Sequence, residues 1–389
     1  MHAWYYLLIS LPSSVCLGWA VWLLLLKSNK DQAQDFLGWM MVVGFVLYLS
    51  YIPYFLHRFS IFVLLLPVYT LATLLIYPMY HYYVRLLVET KVFSIWQRLY
   101  LPAVVLGILM YGTLLILNNS ERENLEVILQ GQPFANLNAE TLPVITLLAL
   151  YFISRLTFSI LVIYTVILNF RLIQQYQYQL SNYYSDPENH SIKSLKYILT
   201  GMILTSVYSI VANGIGVPFF LNRPFLLIIP ACSISILIFF LGYFGNSFHL
   251  VQLDFTHGEA LDDTIEMELV FGEVFVANFQ HRFVDNKAFL IPGLKITTLC
   301  EMLETNRTYL SVYINRTYQC NFCSLINKLR VEYSIKHLEQ VSIEKYSLNY
   351  LAEMCGFSSL NTFYRTFQKE YGMTPGQFLK QQDKKAAEK

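Results

Sequence analysis

Over its first 249 residues the chain alternates long apolar stretches with short polar breaks, and then it changes character. Seven apolar runs stand out, at 4–26, 36–56, 61–83, 99–117, 142–170, 197–221 and 224–248. Each is close to the roughly 20 residues that an α-helix needs to cross about 30 Å of hydrocarbon. Pro67 and Pro78 predict bends in the third. The first run opens on Trp4-Tyr5-Tyr6 rather than on a basic segment, and more runs follow it. It therefore reads as a span, not as a cleavable signal peptide. Residues 249–263 are polar and acidic, with a break expected at Gly258. Over 264–285, Ile265, Leu269, Phe275, Phe279 and Phe283 recur near helical spacing and predict a helix. From Lys287 onward the pattern is one of short amphipathic helices.

Composition agrees with lipid exposure. The chain is 55% hydrophobic and 14% charged, against about 25% charged in soluble domains. The net charge of +1 hides a balance of −7 over 250–286 and +5 over 287–389. The acidic stretch is poorly suited to lie on anionic lipid or DNA. Lys and Arg also distribute unevenly between loops. One set holds Lys27, Lys30, Arg85, Lys91, Arg98, Arg171, Lys193 and Lys196, and the other only Arg58, Arg122 and Arg223. The richer side is expected to be cytoplasmic. Seven spans then put the N-terminus outside and the tail inside. Cys300, Cys320, Cys323 and Cys355 fall in that tail, where disulfides are not expected. The loop 118–141 faces outward and carries Glu121, Glu123, Glu126 and Glu140. It suits a short helix but is too small to be a sensor domain.

None of the seven runs contains Asp or Glu, which argues against proton-coupled transport. Arg155 stands deep in the fifth run. A charge there is costly without a partner or a wet cavity. It reads either as an anion or carboxylate contact in a ligand pocket or as a structural Arg held by carbonyls and hydroxyls. His81 and Arg85 are expected to snorkel to the inner interface. The 29 tyrosines suit either the lining of a polar-aromatic pocket or the membrane interfaces, and interfacial enrichment accounts for most of them.

In the tail, Thr298 with Glu301 suggests a capping box at the start of a helix bearing Leu299, Met302 and Leu303. Asn306 can cap the next helix, with Leu310 and Ile314 inward and Arg307, Thr308 and Ser311 outward. About fifty residues later the arrangement recurs. Ser347 caps a helix with Leu348, Leu351 and Ala352, and Gly356 ends it. Ser358 or Ser359 caps a helix with Phe363 and Phe367 inward and Leu360, Asn361, Tyr364 and Arg365 outward. Gly372 closes it, and Thr374-Pro375 opens a last one. Two short helices across a tight turn, the second polar and basic, follow helix-turn-helix logic.

The stretch Leu351-Ala352-Glu353-Met354-Cys355-Gly356-Phe357-Ser358-Ser359, with Phe363, Arg365, Phe367, Lys369, Gly372, Thr374 and Pro375, resembles the signature of AraC/XylS-type regulators. Tyr309-Leu310-Ser311, Phe322 and Leu329-Arg330 resemble the first of the two helix-turn-helix units in that family. The resemblance covers roughly 290–380 and implies a central bridging helix near 322–338. It implies base contacts by Arg307, Thr308 and Ser311 in the first unit and by Asn361, Tyr364 and Leu360 in the second. Ser358, Ser359 and Lys369 become phosphate candidates. Arg365 and Arg330 match family positions that serve either contact or ion pairing. Cys320, Leu360 and Leu379 depart from the usual glycine, polar residue and arginine.

The resulting expectation is an all-α chain. A seven-span transmembrane bundle (1–249) leads through an acidic helical linker (250–286) to an AraC-type DNA-binding domain with two helix-turn-helix units (287–389). It would sit in a bacterial cytoplasmic membrane and bind double-stranded DNA. RNA polymerase, a second copy of the chain and a small-molecule or membrane signal are open as further partners. Cys320-Asn321-Phe322-Cys323 lacks a second ligand pair at zinc spacing, so no metal or cofactor is expected. No nucleophile–base arrangement or phosphate loop points to an enzyme. A facilitator, or a receptor whose tail binds a protein, stays open as the alternative.

Overall fold

The computed structural model describes residues 3–28, 31–88, 98–129, 141–186, 192–215, 219, 224–247, 271–340 and 347–387. Its backbone contacts divide the chain into two units, one of 1–173 with 193–252, the other of 174–192 with 253–389.

The first unit is built from helices. They are α1 (Ala3–Val21, continued by a π-turn over Trp22–Leu26), α2 (Gln32–Phe55), α3 (Phe59–Val88), α4 (Leu101–Ile116) and α5 (Asn119–Leu129). After them come α6 (Leu142–Tyr183, which runs on into the second unit), α7 (Ile192–Ile215) and α8 (Ile228–Ser247). Asp31 caps α2 through a reciprocal box with Gln34, satisfying backbone donors that the helix start would leave open. Asn118 and Glu121 do the same for α5, the short helix expected in the outer loop.

Pro67 and Pro78 both lie within the continuous α3. Aromatic side chains fill the core between α2 and α3, where Tyr51, Tyr54 and Phe62 contact one another edge to face or stacked. Gly242 lets α8 approach α1, because a Cβ there would run into the Trp19 ring. Asn246 gathers three elements. It accepts Lys27 Nζ at 2.9 Å and Gln34 Nε2 at 3.2 Å, through side chain and backbone respectively, and Trp22 Nε1 at 3.3 Å. Large apolar side chains such as Leu7, Leu25, Ile108, Ile160 and Ile229 point outward, the pattern of helices solvated by lipid.

Among the described residues, six helices are long and apolar enough to cross a membrane. The run expected at 197–221 falls partly outside the described residues: it lies on α7, which is described to Ile215, and 216–218 and 220–223 are not described. His81 departs from expectation. Instead of snorkelling outward it is buried, with Nδ1 2.8 Å from Asn169 Oδ1 on α6.

The second unit contains α9 (Glu273–Asn278, continued by a π-turn over Phe279–Asp285), α10 (Ile296–Leu303), α11 (Arg307–Tyr318) and α12 (Phe322–Gln340). The series ends with α13 (Leu348–Met354), α14 (Leu360–Tyr371) and α15 (Pro375–Ala387). The helix expected over 264–285 begins only at Glu273 among the described residues, and 248–270 lie outside them. Phe279 and Phe283 are fully buried with Leu299, Leu310, Ile314 and Ile326, so residues 279–283 belong to the core around α10, α11 and α12. A second core joins Val331 of α12 to Leu351, Phe363, Phe367 and Phe378.

Candidate DNA-binding surface

Two helix pairs, α10–α11 and α13–α14, flank the central α12. Local chemistry sets each second helix. Asn306 Oδ1 accepts the Tyr309 amide at 2.8 Å and opens α11. Ser359 Oγ accepts the Thr362 amide at 3.2 Å and opens α14. Ser347 caps α13 in the same way. Gly356 in the second turn and Gly372 after α14 both take positive φ, as their sequence positions predict. At Gly356 a side chain would also collide with the Leu290 carbonyl.

The capping box expected at Thr298 does not form. The helix begins at Ile296 after Lys295, whose backbone is extended. Tertiary contact overrides the local signal here: Tyr184 bridges Lys295 antiparallel, and the Ser185 amide donates to Leu294 O at 2.9 Å.

The inward faces are those that periodicity assigns: Leu310, Ile314, Phe363 and Phe367 are buried. That leaves the candidate contacts outward. Thr308 on α11 and Asn361 and Arg365 on α14 are exposed, as are Ser358, Ser359 and Lys369. Arg307, Ser311, Leu360 and Tyr364 are half-buried. Tyr364 and Leu360 also pack against the second core, which limits how freely they can reach out.

Arg330, left open between contact and ion pairing, is buried rather than outward. It is 1% exposed, with Nε donating to Phe289 O and Nη2 to Ile291 O, both at 2.7 Å. Its guanidinium lies 5.7 Å from the Phe357 ring. Burial pulls its pKa down to about 10, opposed by the Asp186 carboxylate, so it stays charged at neutral pH. It ties the segment before α10 to the turn of the second pair.

Sequence reasoning missed a short segment at the end of α6 altogether. Ser181 accepts from Asn321 Nδ2 at 3.1 Å, and Ser185 O accepts from Cys323 Sγ at 3.3 Å. Arg307 stacks over Tyr183 at 5.3 Å, and Ser358 Oγ donates to Asp186 Oδ2. One candidate contact from each helix pair is thus engaged by residues 181–186. Nothing local in Tyr183 or Asp186 announces this, since the contacts span more than a hundred residues. The formal CxxC is explained differently: Cys323 is held by Ser185 and Asn327, while Cys320 packs at the edge of the first core.

No curated protein and no solved structure matched the chain. Residues 299–381 match the family model described as a helix-turn-helix domain, of the AraC type, which supports a DNA-binding transcription regulator behind an array of apolar helices compatible with a membrane protein.

Proposed function

We propose that this chain is a one-component regulator that binds DNA while embedded in a membrane. Its apolar helices, seven spans counting α7, hold it in a bacterial cytoplasmic membrane with the N-terminus outside. Its tail reads promoter DNA through two helix-turn-helix units, α10–α11 and α13–α14, with α11 and α14 entering the major groove. The observation that carries the reading is the family match over 299–381 in a chain whose described residues before it include six membrane-length helices. Thr308, Asn361 and Arg365 are outward on the two second helices, where base edges would be met.

The segment 181–186 supports a route for control. It ends the helix that begins at Leu142, and it holds Arg307 and Ser358, which the reading assigns to DNA. Asp186 offers Ser358 a carboxylate where a DNA phosphate would compete. A signal that withdraws this segment frees both residues.

The test is fluorescence anisotropy of full-length protein in nanodiscs with duplex DNA across a salt series. The expected result is an affinity that falls steeply with salt, from counterion release. An Arg307→Ala, Asn361→Ala variant should lose sequence preference, and Asp186→Asn should bind several-fold more tightly. Absence of any duplex binding by folded protein would overturn the DNA reading. Unchanged affinity in Asp186→Asn would overturn the control by 181–186 alone.

A further inference from the structure

The first unit holds a partly open cavity of about 310 Å³ among α1, α2, α3, α6, α7 and α8. Most of its wall is apolar, from side chains such as Met40, Phe158 and Ile234. On one side the wall is polar, and Arg155 is its single formal charge.

Arg155 is fixed rather than loose. Its Nε donates to Asn213 Oδ1 at 3.0 Å. Asn213 in turn donates through Nδ2 to Arg155 O at 3.1 Å and to Ser159 Oγ at 3.3 Å, so the amide is pinned to α6 at both ends. The Tyr151 ring lies 5.9 Å from the guanidinium carbon. This arrangement uses one of the five guanidinium N–H groups. Among the described residues no carboxylate pairs with Arg155, and no second hydrogen bond from its guanidinium is formed. The terminal nitrogens keep the planar fork that matches a carboxylate with two parallel bonds. An unpaired charge at such a site in a spanning helix is costly until a counter-ion arrives. Tyr48, Tyr51, Tyr151 and Tyr208 also line the cavity. None of their hydroxyls hydrogen-bonds to another described residue, so they are further donors for a ligand's oxygens.

We infer that this cavity binds a small amphipathic monocarboxylate, with its carboxylate on the Arg155 fork and its hydrocarbon or aryl body along the apolar wall. One cation sets the charge of the ligand at minus one. The volume is at the lower end of ligand pockets, which suits one short chain or ring and not a two-chain lipid. The inference rests on the sensor part of the function proposed above: it names the class of signal. Arg155 belongs to α6, the helix whose other end carries Tyr183.

The experiment uses full-length protein in nanodiscs, titrated calorimetrically with decanoate and with phenylacetate, each beside its methyl ester. The two acids separate a fatty-acid source from an aryl-acid source. The expected result is saturable binding of at least one acid, with its ester at least tenfold weaker. Arg155→Met should weaken the acid at least tenfold, and Arg155→Lys less, because it keeps the charge and loses the fork. Tyr51→Phe, which leaves the Arg155–Asn213 contacts in place, should weaken binding a few-fold. Equal binding of acid and ester by the unmodified protein would overturn the inference without reliance on any variant. So would failure of both acids to bind saturably. Duplex-DNA anisotropy in the same nanodiscs separates the two proposals. Acid binding that leaves DNA affinity unchanged supports the site and overturns sensing. DNA binding without acid binding overturns the site and leaves the regulator standing.

Discussion

Replacing Arg330 with Met is the sharpest perturbation of the tail. The guanidinium is almost fully buried and donates two 2.7 Å bonds to the carbonyls of Phe289 and Ile291. Hydrogen bonds from a charged donor contribute about 1.5–3 kcal/mol each. The Phe357 ring at 5.7 Å adds a desolvated cation–π contact of up to about 2 kcal/mol. Against this stands relief from burying the charge, which also lowers the Arg330 pKa. Met refills much of the volume but leaves two carbonyls without donors, at about 1–3 kcal/mol each. The net expectation is a loss of about 3–5 kcal/mol, the range seen when one partner of a buried charged contact is removed. Hydrogen exchange of full-length protein in nanodiscs reads this directly. Amides of α12 and α14 that exchange through opening of the tail should do so about two to four powers of ten faster. Amides of α2 and α3 serve as an internal control and should not change. Acceleration below tenfold in α12 would refute the assignment of Arg330 as the tie between the two helix pairs.

Further expectations follow from the same unit. Gly356→Ala places a side chain at φ +78 and against the Leu290 carbonyl, so it should destabilise the tail by more than the ~1–2 kcal/mol of a left-handed alanine; exchange rates like the parent's would contradict this. Ser359→Ala removes the α14 cap and should cost about 1 kcal/mol, seen as faster exchange confined to the first turn of α14. Burial pushes the Cys355 thiol up to about 12, against the pull of Arg330. It should resist alkylation at pH 8 while the protein stays folded, and prompt labelling would contradict the packing. A raised thiol pKa favours the folded form fully below the ordinary thiol value near 9, and this contribution fades as pH climbs towards 12.

How much of this was legible in sequence depends on whether a feature is local. Asn306, Ser347, Ser359 and Gly372 mark their helix ends correctly because a cap needs only residues a turn away. The inward faces of α11 and α14 follow from spacing alone. Thr298 misled because Lys295 is paired with Tyr184 from a distant part of the chain, and that pairing sets where α10 starts. Phe279 and Phe283 showed helical spacing but could not reveal which core would bury them. Arg155 stood out by its depth in an apolar run, yet its partner Asn213 and the cavity tyrosines Tyr48, Tyr51 and Tyr208 come from other helices. The docking of 181–186 on the tail was invisible for the same reason: a Tyr and an Asp at a helix end carry no mark of a partner far along the chain.

The central claim is that DNA is bound by a protein that stays in the membrane. Genome-wide crosslinking of the full-length chain in its native cell tests it most directly, with the Arg307→Ala, Asn361→Ala variant beside it and DNA recovered from the membrane fraction. The expected result is peaks upstream of genes in that fraction and their loss in the variant. A correctly inserted, folded protein with no enrichment over background, or with peaks the variant keeps, would contradict it.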